Sequence, residues 1–338
     1  MAQLDAAVLQ KYLADHIVGL GQIRDVTKFS DGQSNPTYLI KTDHKQLVLR
    51  KKPDGPILKS AHAVEREYRV IKALAASDVP VPLALHLCED PQVIGTPFYI
   101  MSHVEGRTFW DPALPELPFE TRARAYDAMN KTLAALHRVD VGAVGLTDFG
   151  KPGSYFERQV ARWSTQYRAS ETEYLPDMEA IMRWLSANMV ADDGRVALVH
   201  GDFRLDNMIF APDGSAVRAL LDWELSTLGH PFADLAYQVA LWGMQPDSAL
   251  RGLAGIDRAA QGLPEDQAYL EAYCTRTGIT GIEDWSFYLV FSLFRMAAIV
   301  QGVKKRALEG TASNPRALEV GALTGPLSAY AARLAEQA

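Results

Sequence analysis

The first hundred residues alternate between short runs of strand character and amphipathic helical segments. Leu4, Val8, Leu9 and Leu13 recur on one helical face, so the pattern predicts a helix over residues 4–20. A second helix is predicted over residues 60–76, where Pro80 and Pro82 follow its end. Turn-forming residues separate five predicted strands, which cover residues 22–30, 37–42, 46–51, 83–89 and 97–103. The first three strands are expected to pair as an antiparallel meander.

Beyond Pro118 the hydrophobic pattern takes the longer period of helices. The predicted helices cover residues 119–137, 154–168, 177–189, 269–275, 285–303 and 315–334. Two strand-like runs, residues 207–210 and 217–221, are predicted to form a hairpin around the turn Pro212-Asp213-Gly214. The sequence thus predicts an α+β fold with a small antiparallel-sheet lobe, residues 1–104, and a larger, mainly helical lobe, residues 105–338.

Composition and charge exclude several classes of function. The chain has 338 residues and a net charge of −7, and an acidic chain is a poor candidate for binding nucleic-acid backbone. Cys88 and Cys274 are too few for a disulfide framework or a cysteine zinc site, which favours a reduced, cytoplasmic setting. We expect no signal peptide, and no membrane span because no stretch approaches the roughly 18 or more apolar residues that a span needs. The apolar window 287–294 is predicted to be a buried helix face. Oligomeric state is left open.

The clearest chemical signature is the pattern His200-Gly201-Asp202, then Asn207, then Asp222 after a hairpin. At average residue frequencies, a match at these fixed positions arises by chance in roughly one chain in 10⁴ of this length. Phosphoryl transfer needs positioning and charge neutralisation more than covalent help from the protein. In that chemistry Asp202 would orient a substrate hydroxyl and accept its proton. The pattern therefore predicts a phosphoryl-transfer site.

Two oxygen ligands for Mg²⁺ are predicted beside that aspartate. Asn207 offers a neutral oxygen and Asp222 an anionic one, and the hairpin between them would bring both to one edge. Each of the three residues alone is better explained as a turn former or cap. Their joint spacing favours the catalytic interpretation.

On these residues the chain resembles the aminoglycoside/choline phosphotransferase family, which has the protein-kinase-like fold, over about residues 20 to 300. The resemblance implies that Asp202 is the catalytic base, Asn207 the magnesium-binding asparagine and Asp222 the principal magnesium ligand. It implies a packing and hydrogen-bonding role for His200. Closer similarity is to the kinase-like domain fused to some acyl-CoA dehydrogenases, carried by the segments at residues 49–53, 94–99 and 109–112.

The resemblance also implies a cation and its acidic partner in the small lobe. Arg50 stands where the family has its phosphate-gripping cation, and Glu67 matches the partner on the following helix. The cation here is arginine and not the lysine of many kinases, which changes its reach. The alternative is that Arg50-Lys51-Lys52 is a solvated basic strand end.

Further nucleotide contacts follow from the same resemblance. Backbone N–H groups near Gly32, Ser34 and Asn35 would cover the phosphates, although the loop has one glycine and is not G-x-G-x-x-G. Taken alone, this loop is better explained as a plain hairpin turn. Ser102 and Val104 lie in the segment that would bond adenine through the backbone.

Two other carboxylates leave alternatives open. Asp234 lies in Gly229-His230-Pro231-Phe232-Ala233-Asp234, which resembles a segment of the family, and it would cap a helix or brace the catalytic loop. Glu224, two residues beyond Asp222, would bind a second metal or form a salt bridge.

The expected function is therefore Mg²⁺- and ATP-dependent phosphorylation of a hydroxyl on a small molecule, with a 4-hydroxyacyl-CoA favoured by the closer resemblance. From residue 226 onward the chain has 9 Lys/Arg and 11 Asp/Glu, so its charge does not indicate a polycationic acceptor. The basic run Lys304-Lys305-Arg306 would meet coenzyme A phosphates or simply end a helix. Alternatives are an aminoglycoside, choline-like or sugar phosphotransferase, a non-catalytic nucleotide-binding module, and an interaction scaffold.

Overall fold

The amino-terminal part of the chain forms a five-stranded antiparallel sheet in the order β1-β2-β3-β5-β4. The computed structural model describes residues 4–29, 35–53, 63–312 and 315–338, so Gly32 and Ser34 lie outside the described residues. Two helices accompany the sheet, α1 (Ala6–Ala14) and α2 (Val64–Leu74). The strands are β1 (Ile23–Lys28), β2 (Thr37–Thr42), β3 (Gln46–Lys51), β4 (Ala84–Cys88) and β5 (Phe98–Ser102).

Alternate residues of β3 show which apolar cluster each face of this sheet packs against. Successive side chains of a strand point to opposite faces. Leu47 and Leu49 belong to the apolar cluster that includes α1 residues Leu9 and Leu13. Val48 belongs to the larger core, which includes residues of α2. Since Arg50 follows Val48 by two residues, its side chain is directed to the α2 face.

The rest of the chain is mainly helical, and its core is α6, all of whose residues are buried. The helices are α3 (Phe119–His137), α4 (Tyr155–Ser170), α5 (Pro176–Ala187), α6 (Phe232–Trp242), α7 (Asp266–Thr277), α8 (Trp285–Leu308), α9 (Ala317–Gly321) and α10 (Thr324–Glu336). Together with the sheet they give the α+β fold that the sequence predicts.

Helix α8 corrects the expectation that the chain has no apolar stretch as long as a membrane span. By length and composition α8 is the one helix among the described residues that qualifies, with a mean hydropathy of 1.5. However, 72% of its most apolar window is buried inside the fold. The predicted buried helix face over residues 287–294 is therefore confirmed within a longer core helix.

Two short antiparallel strand pairs lie inside the helical part. The predicted hairpin is present as β7 (Met208–Phe210) and β8 (Val217–Leu220). A second antiparallel pair, β6 (Ala197–Val199) with β9 (Thr227–Gly229), was not predicted. Three-residue strands are too short to show a period, which explains the omission. This second pair frames both ends of the segment that contains the catalytic pattern.

The prediction of one helix over residues 315–334 is wrong, since α9 and α10 are separate. Gly321 ends α9 against α8, where an added Cβ would lie 2.5 Å from the Cβ of Lys304. The Thr324 hydroxyl then donates to the Gly321 carbonyl at 2.9 Å, at the start of α10. Close packing on α8 thus redirects the chain within three residues.

Helix α2 is attached to the helical part as well as to the sheet. Arg66 Nη2 donates to the carbonyls of Phe149 (3.1 Å) and Ser226 (3.4 Å). Its guanidinium lies 3.9 Å from the centroid of the Phe149 ring, a cation–π distance. Helix α2 thus contacts both parts of the chain, and the lobe boundary between residues 104 and 105 stays a prediction.

Candidate active site

The carboxylate of Asp202 is held by two donors. Tyr237 Oη donates to Asp202 Oδ1 at 2.6 Å, and Asn207 Nδ2 donates to Oδ2 at 2.9 Å. Burial, followed by the negative charge of Asp202, keeps the pKa of Tyr237 well above its ordinary value, so the phenol retains its proton and acts as donor. Asn207 Nδ2 also donates to the Asp202 carbonyl at 2.9 Å. The orientation of this carboxylate is therefore determined from both sides.

Asp234 holds the backbone of the same loop. Its Oδ2 accepts from the His200 N–H at 2.6 Å and its Oδ1 from the Gly201 N–H at 2.8 Å. His137 Nε2 lies 3.3 Å from Oδ2, and its Nδ1 contacts the Tyr273 hydroxyl at 2.7 Å. Burial, the largest effect, disfavours the charged carboxylate, but the interactions with His137, with His200 and with the Gly201 N–H together outweigh it and lower the pKa of Asp234. Of the two predicted roles, bracing the loop is confirmed.

Gly201 needs its glycine for two reasons. Its φ is +82°, and an added Cβ would lie 2.6 Å from the Leu225 carbonyl oxygen. The Gly201 carbonyl accepts from Arg295 Nη2 of α8 at 2.7 Å. The loop is thus fastened to two core helices, α6 and α8.

His200 joins the loop to the strand end that carries Asp222. Its Nδ1 accepts from the Asp202 N–H at 3.2 Å, and its Nε2 donates to the Leu221 carbonyl at 2.8 Å. The Leu221 N–H in turn donates to the Asn207 carbonyl at 2.8 Å. Both ring nitrogens of His200 are therefore used within the scaffold, as the packing role predicts, and Asp222 is positioned relative to Asp202 and Asn207 through Leu221.

Asp222 adopts a left-handed backbone conformation with φ +65°. Non-glycine residues in this region store strain, and such strain concentrates at functional sites. Its side chain is 30% exposed, and Oδ1 accepts from Arg50 Nη2 at 2.5 Å. The two parts of the chain thus meet at a contact between residues 172 positions apart.

Arg50 also forms the predicted pair with Glu67. Its Nε lies 2.8 Å from Glu67 Oε2, as an ion pair and not an aligned hydrogen bond. Asn35 Nδ2 donates to Glu67 Oε1 at 2.6 Å and the Tyr99 hydroxyl to Oε2 at 3.2 Å. Burial disfavours the charged guanidinium, but the carboxylates of Glu67 and Asp222 outweigh it and raise the pKa of Arg50. The side chain of Asn35 is therefore buried against Glu67.

The donor set around the hairpin suits Mg²⁺. Asn207 uses its amide nitrogen within the loop, and its Oδ1 makes no hydrogen bond with any described residue. Mg²⁺ is commonly bound by one or two carboxylates plus substrate phosphates and water. The described residues contain no group of three or more His, Cys, Asp or Glu side chains that could hold a metal ion. The charge of Glu224 acts on both Arg50 and Glu67, so it shares this region.

The segment after β5 offers a free backbone edge at one residue. The N–H of Ser102 donates to the Leu83 carbonyl at 2.9 Å, and its hydroxyl accepts from the Leu83 N–H at 2.9 Å. The N–H of His103 donates to the Gln46 carbonyl at 3.3 Å. The N–H and carbonyl of Val104 make no hydrogen bond with the described residues. Of the two residues predicted to contact adenine, Val104 is the one with an unused N–H.

A cleft of roughly 430 Å³, its open mouth included, adjoins the catalytic loop. Arg204, Leu205 and Asp206, which lie between Asp202 and Asn207, form one side of it. Its other walls are mainly apolar and aromatic, with Trp110, Pro112, Tyr126, Met129, Gln238, Leu241, Trp242, Leu250 and Arg251. Its position identifies it as the candidate acceptor site.

Tyr237 and Arg251 were not predicted from the sequence. Tyr237 follows Asp234 by three residues in α6, so the two share a helix face, and that spacing is the signal that would have identified it. Arg251 lies in an irregular segment, where no periodicity indicates the direction of a side chain.

Comparison with known proteins identifies the class. A model of the phosphotransferase enzyme family matches residues 25–281, so the chain belongs to this family. It is a small-molecule phosphotransferase that acts on hydroxyl groups. The Mus musculus protein named acyl-CoA dehydrogenase family member 10 is 50% identical over 309 residues, which are 91% of this chain and 29% of the mouse protein. The chain thus spans less than a third of the length of that relative.

Solved structures agree on the fold. A Ralstonia eutropha JMP134 protein, provisionally described as an aminoglycoside phosphotransferase, is 45% identical, with a TM-score of 0.90 and 99% of each chain covered. Aminoglycoside phosphotransferase APH(4)-Ia, crystallised with AMP-PNP and hygromycin B, is 14% identical, with a TM-score of 0.64 over 97% of this chain and 99% of the other. At that identity the second likeness shows the kinase-like fold alone.

Proposed function

We propose that this phosphotransferase transfers the γ-phosphoryl group of ATP to the hydroxyl of a hydroxyacyl-CoA, with Mg²⁺. The observation that carries the kinase chemistry is the Asp202 carboxylate, which Tyr237 and Asn207 align in the loop that adjoins the cleft. The filled catalytic pattern argues against a non-catalytic nucleotide-binding module or a scaffold.

In the proposed reaction Asp202 is the base. An acceptor hydroxyl bound in the cleft donates its hydrogen bond to the Asp202 carboxylate, and its oxygen attacks the γ-phosphorus of ATP. The proton passes to Asp202 and ADP leaves. Alignment and proton acceptance of this kind contribute about 10²–10⁴-fold to a rate. Tyr237 and Asn207 act by keeping the carboxylate in position.

Arg50, Asn207 and Asp222 form the proposed nucleotide side of the site. Asn207 Oδ1 and the Asp222 carboxylate would hold Mg²⁺, which supplies neutralisation of the phosphate charge. Arg50, held by Glu67, would contact the α- and β-phosphates, and Val104 would bond adenine through its N–H. Since Arg50 Nη2 contacts Asp222, a phosphate would compete with Asp222 for this nitrogen.

The proposed acceptor rests on a relative and on charge. The 50% identity to acyl-CoA dehydrogenase family member 10 favours an acyl-CoA-related acceptor. The second candidate, an aminoglycoside, is favoured by the description of the Ralstonia protein. Aminoglycosides are polycations, and among the cleft residues the one carboxylate, Asp206, is already paired with Arg204. The cleft therefore lacks the clustered free carboxylates that a polycation requires.

A side-by-side assay tests this proposal. Purified protein with ATP and Mg²⁺ is given a 4-hydroxyacyl-CoA, a kanamycin-type amino sugar or no acceptor, and ADP formation is measured together with Mg²⁺-dependent ATP binding. We expect turnover with the acyl-CoA. Turnover of the amino sugar alone would overturn the acceptor and keep the kinase assignment. ATP binding without turnover of any acceptor would support the nucleotide-binding module. The absence of both binding and turnover would support the scaffold.

A further inference from the structure

Two arginines line the acceptor cleft and carry N–H donors that make no hydrogen bond with the described residues. Arg204 directs Nε and Nη2 to the two oxygens of Asp206, the first at 2.5 Å, and its Nη1 makes no hydrogen bond with the described residues. Arg251 is exposed at the cleft, and its side chain forms no hydrogen bond or ion pair with any residue that the structure describes. In a cleft whose other walls are mainly apolar, these are the groups that would specify a ligand.

The backbone holds Arg251 in an unusual conformation. Its φ is +41°, in the left-handed region that disfavours a residue with a side chain. The Arg251 N–H donates to the Ser248 carbonyl at 2.9 Å, and the next N–H, of Gly252, donates to the Gln245 carbonyl at 3.2 Å. A Cβ on Gly252 would lie 2.0 Å from the Met244 carbonyl oxygen, so the turn returns tightly on itself. The turn thus keeps a strained arginine at the cleft.

Arg204 is held in place by its partner and lies near the reacting centre. The bidentate contact with Asp206 fixes the plane of the guanidinium. Burial, the largest effect, disfavours the charged guanidinium, but the carboxylates of Asp206 and Asp202 help to raise the pKa of Arg204, so its charge lies near the base. An anion on Arg204 would therefore bind beside the base.

The other walls favour an apolar chain beside this charge. Trp242 is buried and packs edge-on against Tyr126, with ring centroids 5.3 Å apart, and Tyr126 donates to the Pro112 carbonyl at 2.5 Å. Trp110 is 55% exposed. An exposed tryptophan beside a cationic cleft provides a flat surface for a ligand.

We infer that Arg204 and Arg251 form an anion subsite, so that the acceptor is a hydroxyl compound with an apolar chain and a carboxylate or phosphate group. The inference rests on the proposed function and extends it by naming the residues that recognise the acceptor. Free hydroxy acids would present a carboxylate, and coenzyme A esters would present phosphates. Both are anions that guanidinium groups bind.

Equilibrium binding tests the subsite separately from catalysis. Isothermal titration is made with Mg²⁺ and AMP-PNP present, using a 4-hydroxyacyl-CoA, the matching free 4-hydroxy acid and the uncharged N-acetylcysteamine thioester of that acid. The variants are Arg251→Gln, Arg251→Lys and the control Arg183→Gln, an exposed arginine of α5 away from the cleft. Thermal unfolding establishes that each variant is folded.

We expect Arg251→Gln to weaken an anionic ligand about tenfold or more and the neutral thioester by less than twofold. Arg251→Lys should recover part of the loss, and Arg183→Gln should change nothing. An effect confined to the free acid identifies the carboxylate, and one confined to the coenzyme A ester identifies a phosphate; either supports the subsite.

Equal losses for charged and neutral ligands would overturn the inference, as would wild-type protein that binds neither anion. Turnover measured in parallel separates the two proposals. Charge-dependent binding without phosphorylation would refute the kinase function and keep the anion subsite. Phosphorylation that is insensitive to Arg251→Gln with every ligand would refute the anion subsite and keep the kinase function.

Discussion

The catalytic loop and the acceptor cleft lie side by side and are built differently. In the loop, the carboxylates of Asp202 and Asp234 and both ring nitrogens of His200 have partners inside the protein. In the cleft, Arg251 and one nitrogen of Arg204 have none among the described residues. Side chains that hold one another in position serve chemistry that is common to many acceptors. Side chains without a protein partner can bind a particular acceptor.

This difference separates two kinds of substitution. A change in the loop should reduce phosphorylation of every acceptor by the same factor, because it alters the common transfer step. A change in the cleft should discriminate among acceptors by their charge. The predictions below test whether the loop behaves as the common part, and the Arg251 experiment tests the selective part.

The largest effect is expected for Asp222→Ala. Removing the anionic oxygen proposed for Mg²⁺ should abolish Mg²⁺-dependent nucleotide binding and lower turnover by about 10³ or more with every acceptor. Isothermal titration of ATP with and without Mg²⁺ measures it. Asp213→Ala, which removes an exposed carboxylate from the turn of the same hairpin, should behave as wild type. Unchanged Mg²⁺-ATP affinity in Asp222→Ala would refute the metal assignment.

Asp202→Asn should cut kcat by about 10² or more, again equally for all acceptors, because proton acceptance is lost. The affinity for Mg²⁺-ATP should stay within a few-fold of wild type, which distinguishes this variant from Asp222→Ala. Steady-state kinetics and titration give the two quantities. A variant that retained a third of wild-type turnover would remove Asp202 from the role of base.

Asp234→Asn should act on stability. The amide can accept one of the two backbone N–H groups and would direct its own N–H groups at the other, at a cost of about 2–4 kcal/mol in the free energy of unfolding. Because the folded pKa of Asp234 is lowered from 3.8, its stabilisation is present above that pH and is lost as pH falls through the folded pKa.

Urea unfolding of both proteins along a pH series checks this. The difference between wild type and Asp234→Asn should be constant at neutral pH and should shrink only below pH 3.8. A difference that disappeared well above pH 3.8 would refute the assignment of this pH dependence to Asp234.

Tyr237→Phe should have the smallest effect in the loop. It removes one hydrogen bond to Asp202 and leaves the one from Asn207, so kcat should fall about tenfold with little change in KM. Acceptors of different charge should lose the same factor. A loss that varied with acceptor charge would place Tyr237 in substrate recognition and would weaken the distinction between loop and cleft.

The small lobe and the catalytic pattern could be predicted because their signals are local. The bounds of β2 and β3 coincide with the predicted strands, since turn residues flank both. The pairing of Arg50 with Glu67 could be anticipated from the family resemblance and is present. The contact of Arg50 with Asp222 could not, because it joins positions 172 residues apart.

The cleft could not be predicted for a related reason. Its walls come from five separate parts of the chain, and Trp110, Tyr126, Arg204, Trp242 and Arg251 share no spacing that a period would reveal. The left-handed turn that holds Arg251 depends on the approach of Gly252 to the Met244 carbonyl, a tertiary contact. Local patterns thus indicate the common chemistry, while the acceptor specificity requires the assembled fold.

The attachment of Arg66 to the Phe149 and Ser226 carbonyls has a mechanical consequence. Adjacent residues of one helix, Arg66 and Glu67, connect α2 to the helical part and to the sheet respectively. If the two parts rotate to admit nucleotide, we expect α2 to travel with the helical part and the sheet to pivot about the Arg50–Glu67 contact. The Arg50–Glu67 ion pair would then lie at the hinge of the opening motion and would remain intact during it.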